Sequence, residues 1–449
     1  MSNLQFEPRG KRVTVMGLGR FGGGLGVTRW LHAQGADVLV TDMADADALD
    51  EQVSKLPSGV RTRFGGHDAQ DFTTADLVVA SPAVAHPWTN RYLNAAMEAG
   101  VPVTTEIGLA IERLPDRARV IGVTGTAGKS TTCAMTARAL ETTGLPVHLG
   151  GNIGGSLLEA NIGAEDLIVL ELSSFMLHWL GDAQWSPGTA VLTNLSPNHL
   201  DWHETLEHYE HSKRNIAAHQ RAGDLLLCDR WPELAAATRL KPSEDLPRLT
   251  VPGSHNRTNG AMALAAARAT LERLGIAHDA ITLRDAVASF PGLPHRLQFV
   301  AEHRGISFYN DSKCTTPQAV ALAVRALAEQ VPPDSIHLIA GGADKGVDLR
   351  AIAELARKIG HVHTIGTTGP AIVQAAHALG GRASHHGTLD AAFAAAADAC
   401  PTGGAVLLSP GCASWDQFTN YEERGAMFVD LVRARIGHAV DGMRPSPTD

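Results

Sequence analysis

The residues best suited to chemistry lie in a glycine-rich segment at residues 120–132, Val-Ile-Gly-Val-Thr-Gly-Thr-Ala-Gly-Lys-Ser-Thr-Thr. The pattern is an apolar strand, a turn and the start of a helix. Backbone N–H groups of such a turn surround phosphates, while Lys129 neutralises their oxygens and the Ser130 hydroxyl reaches Mg²⁺. Val123 stands where the usual pattern has its first glycine, so the loop opens at Gly125. The segment predicts a nucleoside triphosphate site, with a purely structural turn as the alternative.

Two candidate metal ligands follow other predicted strands. Glu171 ends the apolar run 167–171, and the carboxyl ends of such strands form the edge where α/β proteins bind ligands. His199 follows the run 190–195, and with His203 it has the i,i+4 spacing of a zinc site, although the sequence between them lacks the glutamate of H-E-x-x-H. We expect His199 to be a single ligand and the histidines at 203, 208 and 211 to lie at the surface.

A second glycine-rich turn lies near the N-terminus. Gly17, Gly19 and Gly22 follow an apolar run, and Asp42 follows the next one. This spacing matches the dinucleotide fingerprint, in which the glycines let the backbone approach a pyrophosphate and the acid binds a ribose hydroxyl. The motif predicts a diphosphate near these glycines. An NAD-dependent oxidoreductase and a structural use of the glycines are the alternatives.

The elements that must position these residues form an α/β pattern. Short Val/Ile/Leu-rich runs alternate with Ala-rich amphipathic stretches throughout, which is typical of parallel sheets covered by helices. The pattern restarts near residues 119 and 297, so we predict domains at 1–113, 114–296 and 297–449. The Ala-rich segment 391–397 predicts a helix because it contains Phe393 and no proline.

Composition narrows the class of function. The chain has 449 residues, 44% of them hydrophobic, and its net charge of -9 shows no clustering of basic residues for nucleic acid or a membrane surface. Five cysteines without a C-x-x-C pair encode neither a disulfide framework nor a zinc knuckle. The sequence shows no signal region and no run of about 20 apolar residues. We expect a cytoplasmic protein, without membrane insertion, that acts on small molecules.

Several motifs resemble those of the Mur ligases, in the same order and over nearly the whole chain. They are 125–131 (Gly-Thr-Ala-Gly-Lys-Ser-Thr), 151–155 (Gly-Asn-Ile-Gly-Gly), 171–175 (Glu-Leu-Ser-Ser-Phe), 199–201 (His-Leu-Asp), 209–213 (Tyr-Glu-His-Ser-Lys) and 255–259 (His-Asn-Arg-Thr-Asn). The resemblance implies a Rossmann-like N-terminal domain, a central P-loop ATPase domain with a parallel sheet, and a Rossmann-like C-terminal domain. It also reassigns the first glycine-rich turn from NAD to a UDP-sugar.

The resemblance implies the following site residues. ATP would be bound by Gly125, Thr126, Gly128, Lys129, Ser130, Thr131, Asn256, Asn259, Arg296 and Asp311. The UDP-substrate would be bound by Gly17, Leu18, Gly19, Asp42, Asn152 and His199. One Mg²⁺ would be held by Ser130 and Glu171, and a second by His199 and a carbamylated Lys213. The catalytic residues would be Lys129, Glu171, His199, Lys213 and Lys313.

The C-terminal third resembles the Mur ligases that add D-glutamate. The motifs are 293–296 (Leu-Pro-His-Arg), 310–315 (Asn-Asp-Ser-Lys-Cys-Thr), 341–346 (Gly-Gly-Ala-Asp-Lys-Gly) and 408–418, with Tyr421 and Arg424. The resemblance implies that Thr315, Lys345, Ser414 and Tyr421 bind D-glutamate. The sequence departs from the family pattern at Arg20, Phe21, Ala83, Gly108 and Thr316.

The function implied is an ATP-dependent ligase that joins D-glutamate to UDP-N-acetylmuramoyl-L-alanine through an acyl phosphate during peptidoglycan precursor synthesis. We expect these two small molecules as partners, no nucleic acid, and a monomer. A ligase that adds glutamate to folate and a relative that binds without turnover are further alternatives.

Overall fold

The computed structural model describes residues 6–19, 22–228, 231, 238–243 and 245–441, with side chains described as far as residue 437. Three sheets follow one another along the chain, and strands alternate with helices in each. The predicted fold class is confirmed: the protein is α/β, with parallel sheets in three domains.

The N-terminal sheet has five parallel strands in the order β3-β2-β1-β4-β5. Apolar side chains of its central strands are buried on both faces, as helices on both sides of a parallel sheet require. The strands are β1 Arg12–Met16, β2 Asp37–Thr41, β3 Arg61–Arg63, β4 Leu77–Ala80 and β5 Val103–Thr104. The helices are α1 Gly23–Ala33, α2 Asp50–Val53, α3 Ala69–Thr73, α4 Arg91–Glu98 and α5 Glu106–Ile111.

The central sheet has six parallel strands in the order β11-β10-β9-β6-β8-β7. Its middle strands β6 and β8 are buried along their whole length. The strands are β6 Val120–Thr124, β7 Val147–Gly151, β8 Leu167–Glu171, β9 Thr189–Leu192, β10 Leu225–Leu227 and β11 Thr238–Arg239. The helices are α6 Lys129–Glu141, α7 Ser174–Asp182, α8 Leu200–His203, α9 Leu206–Ala218, α10 Ser254–Leu274 and α11 Ala280–Ala288.

The C-terminal sheet has the order β12-β13-β17-β14-β15-β16, and only the pairing of β12 with β13 is antiparallel. The predicted helix at 391–397 is confirmed as part of α15. The strands are β12 Gln298–His303, β13 Ile306–Asn310, β14 Ile336–Gly341, β15 His361–Ile365, β16 Ala383–Gly387 and β17 Ala405–Leu408. The helices are α12 Pro317–Ala328, α13 Arg350–Leu355, α14 Gly369–Ala378, α15 Leu389–Ala399 and α16 Tyr421–Asp441.

Packing groups the three sheets into two compact units. The first consists of residues 1–247 and 258–287, and the second of residues 248–257 and 288–449. The N-terminal and central sheets share the first unit because one apolar core includes Leu25 and Val27 of α1 together with Leu157 and Leu158 of the central domain. In the second unit, separate cores cover the two faces of the C-terminal sheet. The predicted domain limits near 113 and 297 stay predictions.

Within the described ranges, no helix combines the length and the apolar character needed to cross a membrane. All five cysteines are free and buried.

Candidate active site

The predicted phosphate loop joins β6 to α6, and its two glycines are required by the backbone. Gly125 and Gly128 have φ angles of 149° and 83°, which side chains with a Cβ rarely adopt. A Cβ on Gly125 would lie 2.0 Å from Thr193 Oγ1, and one on Gly128 would lie 2.4 Å from Asn259 Oδ1. The loop therefore leads closely packed into the N-terminus of α6, where the first N–H groups of the helix and Ser130 can bind an anion.

The segment after β9 holds this loop in place. The backbone N–H of Thr126 donates to Asn194 O at 3.0 Å, and that of Ala127 donates to Asn194 Oδ1 at 3.0 Å. The Thr126 hydroxyl lies 2.9 Å from Tyr209 Oη on α9. The sequence alone indicated no role for Asn194 or Tyr209. The available signals were that Asn194 follows a strand and that Tyr209 begins the motif ending at Lys213.

Two lysines converge on one carbonyl group of the loop. Lys129 Nζ donates to Gly125 O and Thr126 O, each at 3.1 Å. Lys213 Nζ, on α9, donates to Gly125 O at 2.9 Å and to Thr124 Oγ1 at 3.3 Å. Lys213 is only 1% exposed, so it is not a surface lysine. Burial, and secondarily the charge of Lys129, lower the pKa of Lys213 to about 7, against the opposing effect of Glu171.

Glu171 ends β8 at the same edge of the sheet and is 2% exposed. Its Oε1 accepts a hydrogen bond from Asn152 Nδ2 at 3.1 Å, whereas its buried Oε2 has no hydrogen-bond partner. A buried carboxylate oxygen without a partner is unfavourable unless a cation satisfies it, so this donor fits Mg²⁺. No group of three or more His, Cys, Asp and Glu residues that could hold a metal occurs in the described ranges. Such a group is not required, because Mg²⁺ is commonly bound by one carboxylate together with substrate phosphates.

His199 is exposed, has φ 53° and immediately precedes α8. Its ring lies 5.0 Å from that of Phe175. Partial desolvation of the ring lowers the pKa of His199. The charge of Asp201 opposes this shift, and the charges of Lys129 and Lys213 add to it.

The prediction that His203 lies at the surface is wrong, since this residue is 1% exposed. Its Nε2 lies 2.9 Å from Ser174 Oγ, and its Nδ1 lies 3.2 Å from Nδ1 of the half-buried His208. His211 is exposed as expected. His203 is buried because α8 packs against α7 and α9, whereas His211 is exposed. The i,i+4 spacing of His199 and His203 alone did not indicate this burial.

The N-terminal glycine turn is closed by the acid that follows β2. Asp42 Oδ2 accepts the Gly19 N–H at 3.2 Å, and Oδ1 accepts the Ala44 N–H at 2.9 Å. Gly17 has φ 94° and leaves no room for a Cβ, which would lie 2.9 Å from Ser81 Cβ. Leu18 is buried. The turn thus has the tight backbone expected of a diphosphate site. Arg20 and Phe21 lie outside the described residues, while Ala83 is exposed.

Both predicted asparagines of α10 are buried. Asn259 packs its amide against Gly128 of the phosphate loop. Asn256 belongs to the second compact unit, where its Nδ2 donates to Pro252 O at 2.7 Å.

In the second unit, Asp311 is held between two donors after β13. Its Oδ2 accepts from Ser409 Oγ at 2.8 Å, and its Oδ1 accepts from the Leu297 N–H at 3.0 Å. Burial raises the pKa of Asp311 to about 6, although these hydrogen bonds oppose the shift. Arg296 is exposed and near enough to lower that pKa.

The residues predicted to act on the amino-acid substrate make two contacts in this unit, each between a lysine and an aromatic ring. Lys313 Nζ lies 5.2 Å from the centre of the Tyr421 ring, and burial raises the pKa of Tyr421 to about 12. Lys345 Nζ lies 4.5 Å from the centre of the ring of Trp415, which is 68% exposed and follows the buried Ser414. Thr315 is half-buried. The sequence alone indicated no role for Trp415, although its position next to a predicted binding serine was a signal.

Three family models match successive parts of the chain. They are described as the Mur ligase MurD-like N-terminal domain, at residues 11–105, the Mur ligase middle domain, at 123–235, and the Mur ligase glutamate ligase domain, at 295–412. Two relatives named UDP-N-acetylmuramoylalanine–D-glutamate ligase are similar over nearly full length. The protein of Acidobacterium capsulatum is 36% identical, covering 96% of this chain and 98% of its own. That of Roseiflexus sp. is 37% identical, covering 95% and 99%.

Solved structures agree on the fold. The UDP-N-acetylmuramate-alanine ligase of Thermotoga maritima has a TM-score of 0.55 at 20% identity, covering 95% of this chain and all of its own. A UDP-N-acetylmuramoyl-L-alanyl-D-glutamate–2,6-diaminopimelate ligase has a TM-score of 0.55 at 18% identity, covering 83% and 94%.

The phosphate loop with two lysines and a buried carboxylate, in a chain that has two further α/β domains, is that of an ATP-dependent ligase. The chain belongs to the Mur ligase family, whose members act in peptidoglycan precursor synthesis.

Proposed function

We propose that this protein joins D-glutamate to UDP-N-acetylmuramoyl-L-alanine, with ATP converted to ADP and phosphate. The observation that carries the chemistry is the convergence of Lys129 and Lys213 on Gly125 O beside the buried Glu171. The names of full-length relatives at 36% and 37% identity support the choice of substrates.

In the first step, an oxygen of the L-alanyl carboxylate attacks the γ-phosphorus of ATP, and ADP leaves. A carboxylate is a poor electrophile, and the acyl phosphate formed in this way has a good leaving group. The chain's contribution is position and charge: the loop N–H groups hold the phosphates, and Lys129 stabilises the transferring group. Gly125, Thr126, Gly128, Ser130 and Thr131 would contact the nucleotide, with Asn259 against the loop. Asn256, Arg296 and Asp311 are also proposed ATP residues.

Mg²⁺ would neutralise the phosphate charge and orient the reacting oxygens. Ser130 and Glu171 would hold one ion together with ATP. His199 and Lys213 would hold a second, provided that Lys213 is carbamylated, because an ammonium group repels a cation. The buried amine supports this modification: its lowered pKa leaves a substantial neutral fraction that can attack CO₂.

In the second step, the amine of D-glutamate attacks the acyl carbon, loses a proton and displaces phosphate. We assign the amino acid to Thr315, Lys345, Ser414 and Tyr421, with Lys313 near its reacting end. The two ammonium groups suit a dicarboxylate. We assign the UDP moiety to Gly17, Leu18, Gly19 and Asp42, with Asn152 and His199 toward the reacting end. We further propose that the protein is a monomer and that it acts in the cytoplasm. The free cysteines support this location.

Two alternatives are weaker. The NAD-dependent dehydrogenase rests on the N-terminal glycine turn alone, and the family model that matches this segment, at residues 11–105, is described as a Mur ligase MurD-like N-terminal domain. A relative that only binds ligand has no need of two lysines and an unsatisfied carboxylate at the phosphate loop.

Phosphate release with a panel of substrates tests the proposal. Release is expected only when ATP, Mg²⁺, UDP-N-acetylmuramoyl-L-alanine and D-glutamate are all present. L-glutamate, L-lysine, diaminopimelate and glycine serve as amino-acid controls, and a folate serves as the alternative acceptor. Equal release with any of these, tight NADH binding, or UDP-sugar binding without turnover would defeat the assignment.

A further inference from the structure

The β4–α4 loop, residues 81–90, begins in contact with the N-terminal glycine turn. The Ser81 N–H donates to Met16 O at 2.8 Å, at the end of β1. A Cβ on Gly17 would lie 2.9 Å from Ser81 Cβ, so Ser81 packs directly against the turn. The Ser81 hydroxyl accepts the Ala83 N–H at 3.3 Å. The start of the loop therefore lies beside the proposed diphosphate site.

The second half of the loop reaches the segment 199–204 of the central domain, which belongs to the same compact unit. His86 Nε2 donates to Asp201 O at 3.0 Å. The ring of Trp88 lies edge to face against that of the buried Trp202, with 5.5 Å between the ring centres. One loop therefore contacts both the glycine turn and the segment that begins with a proposed metal ligand.

Aromatic contacts continue from Trp88 to His199. The ring of Trp202 stacks on that of Phe175, with 4.7 Å between the ring centres. The ring of Phe175 lies 5.0 Å from that of His199. Because packed rings have preferred geometries and a close-packed interior transmits strain, a shift of one ring displaces the next. Trp88 can thus act on His199 through two intervening rings.

The backbone on both sides of this contact has unusual conformations. His86 has φ 47°, and the segment that it contacts begins at His199 with φ 53° and ends at Glu204 with φ 62°. Residues with a Cβ rarely adopt such left-handed conformations, which persist only where the surrounding structure imposes them. The position of His199 therefore depends on contacts from outside its own segment, and the β4–α4 loop supplies two of them. The proposed mechanism gives this loop no role.

We propose that Trp88 is a positioning residue that, together with His86, fixes the place of His199 and couples it to the N-terminal glycine turn. Binding of the UDP end of the substrate at the turn then sets the position of the imidazole at the reacting end. This inference rests on the proposed function, and it deepens the UDP-substrate site.

The first test removes the indole group in Trp88→Ala. We expect kcat to fall by about 10²-fold, because a misplacement of about 1 Å can have an effect of this order. Trp88→Phe, which keeps a ring against Trp202, should retain most of the activity. The control is Trp185→Ala, at a half-buried indole that packs on the apolar core of the same unit and belongs to none of the proposed sites. It should keep the kcat of the wild type.

Calorimetry with two ligands separates positioning from a general loss of structure. In Trp88→Ala the affinity for UDP alone should stay within about twofold of the wild type, since the residues of the glycine turn are unchanged. The affinity for UDP-N-acetylmuramoyl-L-alanine should fall by roughly tenfold, because the reacting end of this ligand loses a well-placed partner. The affinity for ATP should not change.

His86→Ala, which removes the hydrogen bond to Asp201 O, should change the two affinities in the same way, and it decides the matter if Trp88→Ala fails to fold. Three results would overturn the inference: unchanged kinetics in these variants, an equal loss of affinity for UDP and for the full substrate, or an equal loss of kcat in Trp185→Ala. If the wild-type protein releases no phosphate with UDP-N-acetylmuramoyl-L-alanine and D-glutamate, the proposed function fails, and this inference fails with it.

Discussion

At the residue scale, Lys213 is buried, and its Nζ donates to Thr124 Oγ1 and Gly125 O. The charge of the neighbouring Lys129 also acts on it. A lysine whose pKa falls to about 7 is neutral above that pH and protonated below it. Only the neutral amine reacts with CO₂. Carbamylation of Lys213 should therefore be favoured as the pH rises through 7 and be lost below it.

For Lys213→Ala we expect turnover to fall by at least about 10²-fold, the usual effect of removing one group that stabilises developing charge. ATP affinity should change little, because the loop and Lys129 remain. Lys55→Ala, at an exposed lysine paired with Glu51, is the control. Removal of bicarbonate near pH 6 should lower wild-type activity reversibly. Full activity of Lys213→Ala would refute the catalytic role, and an active enzyme with an unmodified amine in a density map would refute the carbamate.

At the scale of elements, three adjacent strands of the C-terminal sheet align a row of histidines. His363 on β15 lies between His337 on β14 and His386 on β16, with Nδ1–Nε2 distances of 3.1 Å on each side. Burial, and then the charge of neighbouring groups, lower the pKa of His337 to about 4 and that of His363 to about 3. These pKa values lie below the ordinary value of a histidine in the unfolded chain, about 6.5.

The sign of the pH effect follows from this difference. Between the folded and unfolded pKa values the unfolded chain binds more protons, so the contribution to stability is complete above about pH 6.5 and falls as the pH decreases toward 4. For each buried histidine, the free energy of unfolding should fall by roughly 2 kcal/mol as the pH decreases from 6.5 to 5. In urea unfolding, His363→Gln should lose less stability over this interval than the wild type. His385→Gln, at an exposed neighbour on β16, should retain the full loss, and identical pH curves for all three proteins would contradict the expectation.

At the scale of the whole molecule, the two glycine-rich turns lie at the edges of different sheets. We expect Asp42→Ala to weaken binding of UDP-N-acetylmuramoyl-L-alanine by roughly tenfold or more, because it leaves the Gly19 and Ala44 N–H groups without their acceptor. ATP binding should be nearly unchanged. Asp42→Asn, which keeps an acceptor, should lose less. Calorimetry with each ligand measures both effects, and an equal loss for the two would show that the N-terminal domain is misassigned.

The sequence by itself determined those features that depend on neighbours along the chain. Alternation of apolar runs with amphipathic stretches indicated the α/β class, because strands and helices bury their faces with different periods. The glycine patterns predicted strand-to-helix turns at Gly17–Gly19 and Gly125–Gly128. Both turns were found where the pattern placed them, with these glycines at positive φ. Helix α15 likewise follows from local composition.

Only the tertiary structure decided the environments of the functional groups. Lys213 contacts Thr124, which lies 89 residues away in the sequence, and Arg424 contacts Ser312, which lies 112 residues away. His203 has the i,i+4 spacing of a metal site with His199 and was expected at the surface, yet the packing of α7 and α9 buries it. Burial, hydrogen-bond satisfaction and pKa depend on which distant segments exclude water from a side chain, and no period or spacing in the sequence records that contact. Residue types and spacing could therefore indicate a phosphate site with its candidate ligands, whereas the burial of Lys213, the Glu171 oxygen without a hydrogen-bond partner and the burial of Arg424 required the folded chain.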